Sequence, residues 1–169
     1  MKDSMHALSV EVFTNALGNL SWILERAATH AEQRKIDPAV LLAARLAPDM
    51  LPLTRQVQIA ADIAKNSVAR LAGQEPPRFE DDETTIEQLR ARLARTVDFL
   101  KSVPASALEG AATRDVKVPL RDRALEFKGL ELVQRWAIPN VFFHVTTAYA
   151  ILRHNGVDLG KRDFLGNAR

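Results

Sequence analysis

Four stretches of this chain repeat their apolar residues every three to four positions, the pattern of amphipathic helices that must bury one face against a partner. In the first, Leu8, Val12, Ala16, Leu20, Ile23, Leu24 and Ala27 form one stripe, widened by Phe13 and Trp22. The spacing predicts a helix from about Ser4 to Arg34. Met50, Leu53, Val57, Ala60, Ala61, Ala64, Val68 and Leu71 form the second stripe, over roughly Asp49 to Leu71 and ending at Gly73. Its alanines are small enough to let a neighbouring helix approach closely. Ile86, Leu89, Leu93, Val97, Leu100 and Val103 form the third, closed by Pro104. The fourth runs from Ala137 through His154, with Pro139 at its start and the stop signal Asn155-Gly156 past its end.

The punctuation between the stripes agrees with this. Asp37-Pro38 breaks the first helix and restarts a shorter one, Pro38 to Leu46, with Asp37 as N-cap and Pro38 at the first helical position. A loop with Pro76-Pro77 spans Gln74 to Asp82. Thr85-Ile86-Glu87-Gln88 has the form of a capping box. Between Thr113 and Lys128 the period changes to two. Val116, Val118 and Leu120 alternate with other residues, as do Leu125 and Phe127, with Arg121-Asp122-Arg123 between the runs, which predicts a β-hairpin. A short helical turn is expected from Leu130 to Trp136, and a polar tail with Lys161, Arg162 and Phe164 closes the chain. The expected architecture is all-α: a four-helix bundle with a short β-hairpin before the last helix, in one domain over residues 1–169.

Charge and composition narrow the function classes. Twenty-three Lys and Arg stand against 21 Asp and Glu, a formal net charge of +2, which makes no electrostatic footprint for nucleic acid. With no cysteine, disulfides, thiolate nucleophiles and Cys-based metal sites are excluded. No segment reaches the roughly 20 apolar residues of a membrane span. The first residues, Met1-Lys2-Asp3-Ser4-Met5-His6, do not have the form of a signal peptide, so the expected location is cytoplasmic. No phosphate loop, no dinucleotide-binding glycine pattern, no serine-hydrolase elbow and no HExxH or Glu-x-x-His pair is present. The acidic run Glu80-Asp81-Asp82-Glu83 leads into the third helix, where negative charge is favourable, and lacks the alternating spacing of a calcium loop.

The chemistry that remains centres on His144, in the middle of the apolar run Val141-Phe142-Phe143-His144-Val145. An imidazole there is either a buried structural hydrogen-bonder or a member of a site. His144 and His154 lie about 15 Å apart along a straight helix, so they do not chelate one ion. Asn140, Thr147 and Ala148 are one turn from His144. On the second helix Gln58 and Asp62 flank the small-residue strip, and if that strip packs against the last helix, Asp62 reaches His144 and fixes its tautomer. The candidate ligand-binding set is Gln58, Asp62, Asn140, His144 and Tyr149; the commoner reading of such residues is a buried hydrogen-bond network, or for Asp62 a surface pair with Lys65 or Asn66, and for Tyr149, the one tyrosine, an amphipathic core residue.

Met50-Leu51-Pro52-Leu53, Gln56-Val57-Gln58-Ile59-Ala60-Ala61-Asp62, Ala64-Lys65, the segment from Pro139 to Val157, and Gly160-Lys161 together resemble an uncharacterised bacterial domain-of-unknown-function family within the DinB/YfiT-like superfamily of four-helix bundles. The resemblance covers essentially the whole chain. It implies a divalent metal held by three histidines, one on the second long helix and two spaced HxxxH on the last. It also implies thiol-dependent transferase or isomerase activity in some members and a homodimer in many. His144 matches the first histidine of the last-helix pair; the second falls on Ala148, and the second helix offers Gln56, Gln58 and Asp62 instead of a histidine.

Two functions are therefore weighed. In the first, the protein lacks the three-histidine centre and any cofactor, and binds a small ligand or acts as a dimeric interaction protein. In the second, it is a transferase or hydrolase with His144 as ligand to a divalent metal or as general base, oriented by Asp62.

Overall fold

A computed structural model describes residues 4–167. Helix α1 joins Ser4–His6, a π-helical turn Ala7–Glu11 and Val12–Arg34 into the single long helix that the first stripe predicts. Phe13, Leu17, Leu20, Ile23, Leu24 and Ala27 on its inner face have no exposed surface. Helix α2, Pro38–Ala43, is capped by Asp37, whose carboxylate accepts the Ala39 N–H at 2.9 Å. It stops three residues short of the expected end at Leu46, because Ala44 turns extended.

Helix α3 is Leu53–Leu71, not a helix from Asp49. Pro52 explains the difference: a residue ahead of proline is steered away from the helical region, and Pro52 itself sits extended as the N-cap. Helix α4, Ile86–Ser102, opens on the expected capping box, with Thr85 Oγ1 accepting from Gln88 N and Gln88 Oε1 accepting from Thr85 N, each at 3.1 Å. The hairpin pairs β1, Asp115–Pro119, antiparallel with β2, Ala124–Lys128, placing Val116 opposite Phe127 and Val118 opposite Leu125. Arg114 donates to the carbonyl of Leu71 at the end of α3, and Gly129 N donates to Arg114 O at 2.9 Å, so the hairpin base is tied to two helices.

Helix α5 is longer than the pattern around Pro139 suggests. It begins at Gly129–Glu131, passes through a π-helical turn Leu132–Ala137, and continues as Ile138–His154. A proline inside a helix removes one donor and crowds the carbonyl one turn back. The widened turn just before Pro139 relieves that crowding, so the helix runs through. Its C-terminus is a Schellman motif: Gly156 takes φ +86°, Gly156 N donates to Arg153 O, and Val157 N donates to Leu152 O. The expected polar tail is instead a short helix, α6, Lys161–Leu165. It docks on α1 through Trp22 Nε1 to Asp163 Oδ1 at 2.9 Å and Asn19 Nδ2 to Phe164 O at 3.0 Å. Phe164 packs against Phe142 and Tyr149.

The four long helices form a bundle. Helix α3 packs on α5 and α4, and α1 packs on α4 and α5. The consecutive long helices α1 and α3 therefore face each other across a diagonal. That arrangement puts the alanine-rich strip of α3 (Ala60, Ala61 and Ala64, all fully buried) at the centre.

Candidate functional site

His144 is buried on α5 and faces the first turns of α3, as the small-residue strip implied. Its partner is Gln56: Nδ1 of the imidazole lies 2.7 Å from Gln56 Oε1. Gln56 is itself buried, and its Nε2 donates to the carbonyl of Leu51, just ahead of α3, at 2.9 Å. Burial pushes the His144 pKa below the ordinary imidazole value, so the ring is neutral at pH 7. Its Nε2 has no partner among the described residues. Phe143 meets the imidazole edge-on, ring centroids 5.2 Å apart, and is 56% exposed.

The expectation that Asp62 orients His144 is not met. Asp62 lies six positions beyond Gln56, which places the two side chains about 120° apart around α3, and Gln58 is about 160° from Gln56. Gln58 and Asp62 do share a face, but it looks towards α4. There they join a cluster around Arg92, whose side chain is fully buried. Arg92 Nη2 lies 2.9 Å from Oδ1 of both Asp62 and Asp81, and Nη1 donates to Glu83 Oε1 at 2.9 Å and to Glu80 O at 2.8 Å. Asp62 also pairs with buried Lys65 at 3.0 Å. Gln58 bridges Arg55 and Glu83, at 2.7 Å to each, and Arg55 reaches Asp81.

These contacts fasten the segment between α3 and α4 to both helices. Phe79 of that segment sits under Lys65, 4.0 Å from the ring centroid, and Arg95, 3.7 Å from it. Burial pulls the Arg92 guanidinium down, but the Glu83 hydrogen bond and the Asp62, Glu83 and Asp81 charges outweigh it and hold its pKa above the ordinary value. For Lys65 burial wins over Asp62, and its pKa is lowered.

The other two candidates lie elsewhere. Asn140 donates to Trp136 O at 2.7 Å within its own helix. Tyr149, about 140° around α5 from His144, packs edge-on against Phe164 beside a small apolar cavity shared with Thr146 and Lys161. Of the five predicted residues, only Gln58 and Asp62 are brought together, and His144 is joined by Gln56 instead. Gln56 carried a readable signal: it lies between Leu53 and Ala60 at helical spacing, a polar residue inside an apolar stripe. Arg92 carried a similar one, between Leu89 and Leu93 in the third stripe.

The residues around His144 do not fit a three-histidine metal centre. Gln56 stands where α3 faces His144, and its amide is engaged at both ends. Ala148, one turn on, is fully buried and has no donor atom. Among the described residues no group of three or more His, Cys, Asp or Glu converges so as to hold a metal ion. No helix among them is long and apolar enough to cross a membrane.

Fold and helix order together define a DinB/YfiT-like four-helix bundle with a hairpin before the last long helix. The chain belongs to the family described as a domain of unknown function, DUF1993, whose model matches residues 5–165. It is similar to the crystal structure of a DinB family member protein from Shewanella denitrificans, at 45% identity and a TM-score of 0.89, covering 96% of this chain and 92% of that one. No curated protein matches the chain.

Proposed function

We propose that this protein binds a small ligand beside His144 and does so without a divalent metal. The observation that carries the reading is the His144–Gln56 pair: a neutral imidazole fixed at one nitrogen and unpartnered at the other, next to an exposed aromatic ring. Screening a fragment set by ligand-observed NMR tests it. Hits that vanish with His144→Ala, in a variant that keeps its fold, support the reading; an absence of hits, or hits indifferent to that substitution, contradicts it.

A second reading, association of two copies, is favoured by a separate observation. Leu51, whose carbonyl accepts from Gln56, and Phe143, next to His144 in sequence, are 45% and 56% exposed, although both are large and apolar. Phenylalanine is enriched where surfaces are covered by a partner. Light scattering at micromolar concentration decides it: a homodimer that Phe143→Glu dissociates is the expected result, and a monomer at all concentrations contradicts it.

A further inference from the structure

We infer that Gln56 is a positioning residue that holds His144 in the Nδ1–H tautomer, so that Nε2 is the accepting atom of the site and the ligand group it takes is an uncharged hydroxyl or N–H donor. This rests on the ligand-binding reading above and specifies its chemistry.

The tautomer follows from a chain of donors and acceptors. The Leu51 carbonyl can only accept, and it lies 2.9 Å from the Gln56 side-chain nitrogen. That orients the amide, placing Oε1, which also can only accept, 2.7 Å from His144 Nδ1. Nδ1 must then carry the hydrogen. In the neutral ring the lone pair falls on Nε2. An anion has no donor to meet there. A metal ion finds no group of three or more His, Cys, Asp or Glu to hold it among the described residues. A ligand O–H or N–H can donate to the Nε2 lone pair, and the exposed Phe143 ring supplies apolar area beside it.

The test uses the full chain labelled with 15N and long-range 1H–15N correlation of the imidazole. The expected spectrum shows Nδ1 as the protonated, pyrrole-type nitrogen and Nε2 as the pyridine-type one. Gln56→Leu, which offers no acceptor, should invert the assignment, while Gln56→Glu, which still accepts from Nδ1, should keep it even if the leucine variant fails to fold.

Phenol and anisole then serve as a matched pair of probes, since phenol donates and anisole does not. Phenol should shift His144 Nε2 and anisole should not. An Nε2–H tautomer in the unmodified chain overturns the inference while leaving ligand binding intact, as does an equal response to both probes. Silence of the ring towards both at millimolar concentration overturns the ligand-binding reading and the donor class with it.

Discussion

His144 Nδ1 and Gln56 Oε1 stand 2.7 Å apart, joining the middle of the last long helix to the first turn of the second. The pair is buried, so its state is linked to stability. Burial lowers the folded-state pKa of His144 below 6.5. Between that lowered value and 6.5 the unfolded chain binds the extra proton, so stability is fully present above about pH 6.5 and is lost as pH falls through this window. Urea midpoints measured from pH 8 to 5 should fall for the unmodified protein more steeply than for His144→Gln. Parallel curves would remove His144 as the cause.

Removing the acceptor has a cost of its own. Gln56→Leu leaves the Nδ1 hydrogen or its tautomeric equivalent facing an apolar side chain, and a buried group left unpaired costs about 1–3 kcal/mol. Equilibrium unfolding at pH 7.5 measures it. A loss indistinguishable from zero would mean that the bond is not made in solution.

Arg92 supports a larger expectation. Its fully buried guanidinium meets Asp62, Asp81 and Glu83. Glu83 is nearly buried, whereas Asp62 and Asp81 are about a third exposed and partly screened by water. Arg92→Met should therefore cost about 3 kcal/mol, the lower end for breaking a buried ion pair. Arg92→Lys should not restore it, since one ammonium cannot reproduce the planar guanidinium's contacts to four acceptors. Denaturant unfolding of both variants, with proteolysis of the segment between α3 and α4 as a local readout, checks this.

The helical start of α5 depends on a glycine. A Cβ at Gly129 falls 1.9 Å from Ala111 O and 2.9 Å from Leu71 Cδ2. The carbonyl is backbone and cannot swing aside, so Gly129→Ala must move α5 or the turn that precedes β1. The expected loss is about 1–3 kcal/mol, as for other overpacked sites, read as a lower Tm. An unchanged Tm would show that the turn relaxes freely.

The closing helix α6 has an optical reporter. Burial alone raises the Asp163 pKa, but the Gly160 N–H, the Trp22 indole N–H and the charge of Arg26 outweigh it, and the net shift is downwards. A carboxylate with a depressed folded pKa contributes stability above its ordinary value of 3.8 that is lost as pH falls through the folded pKa. Asp163→Ala should release α6 from α1 and shift Trp22 emission to the red, with Trp136→Phe as background to isolate the signal. Unchanged emission would mean that the Asn19 hydrogen bond and Phe164 packing hold the helix without Asp163.

Much of this fold is written locally. The Asp37 N-cap, the Thr85–Gln88 box and the Asn155-Gly156 stop each depend on residues within one turn, so spacing alone reveals them. The site is not local. That Gln56 rather than Asp62 meets His144 depends on which face of α3 looks at α5 and which at α4, and the order of helices around the bundle decides that. Gln58 and Asp62 share a face at four-residue spacing, as read from the sequence, but Arg92 comes to that face from another helix. The tail departs from its sequence pattern for the same reason: Phe164 becomes core-like only against Phe142 and Tyr149. Pro139 reads as a helix start, and only the preceding π-helical turn lets the helix pass through it.

The central proposal is that this bundle has a metal-free site at His144, where the wider fold family is expected to hold a divalent ion. Metal quantification of the purified protein after dialysis against excess zinc, with and without His144→Ala, tests it. Far less than one equivalent of zinc per chain is expected, unchanged by the substitution. One equivalent that is retained through gel filtration and lost with His144→Ala would contradict it.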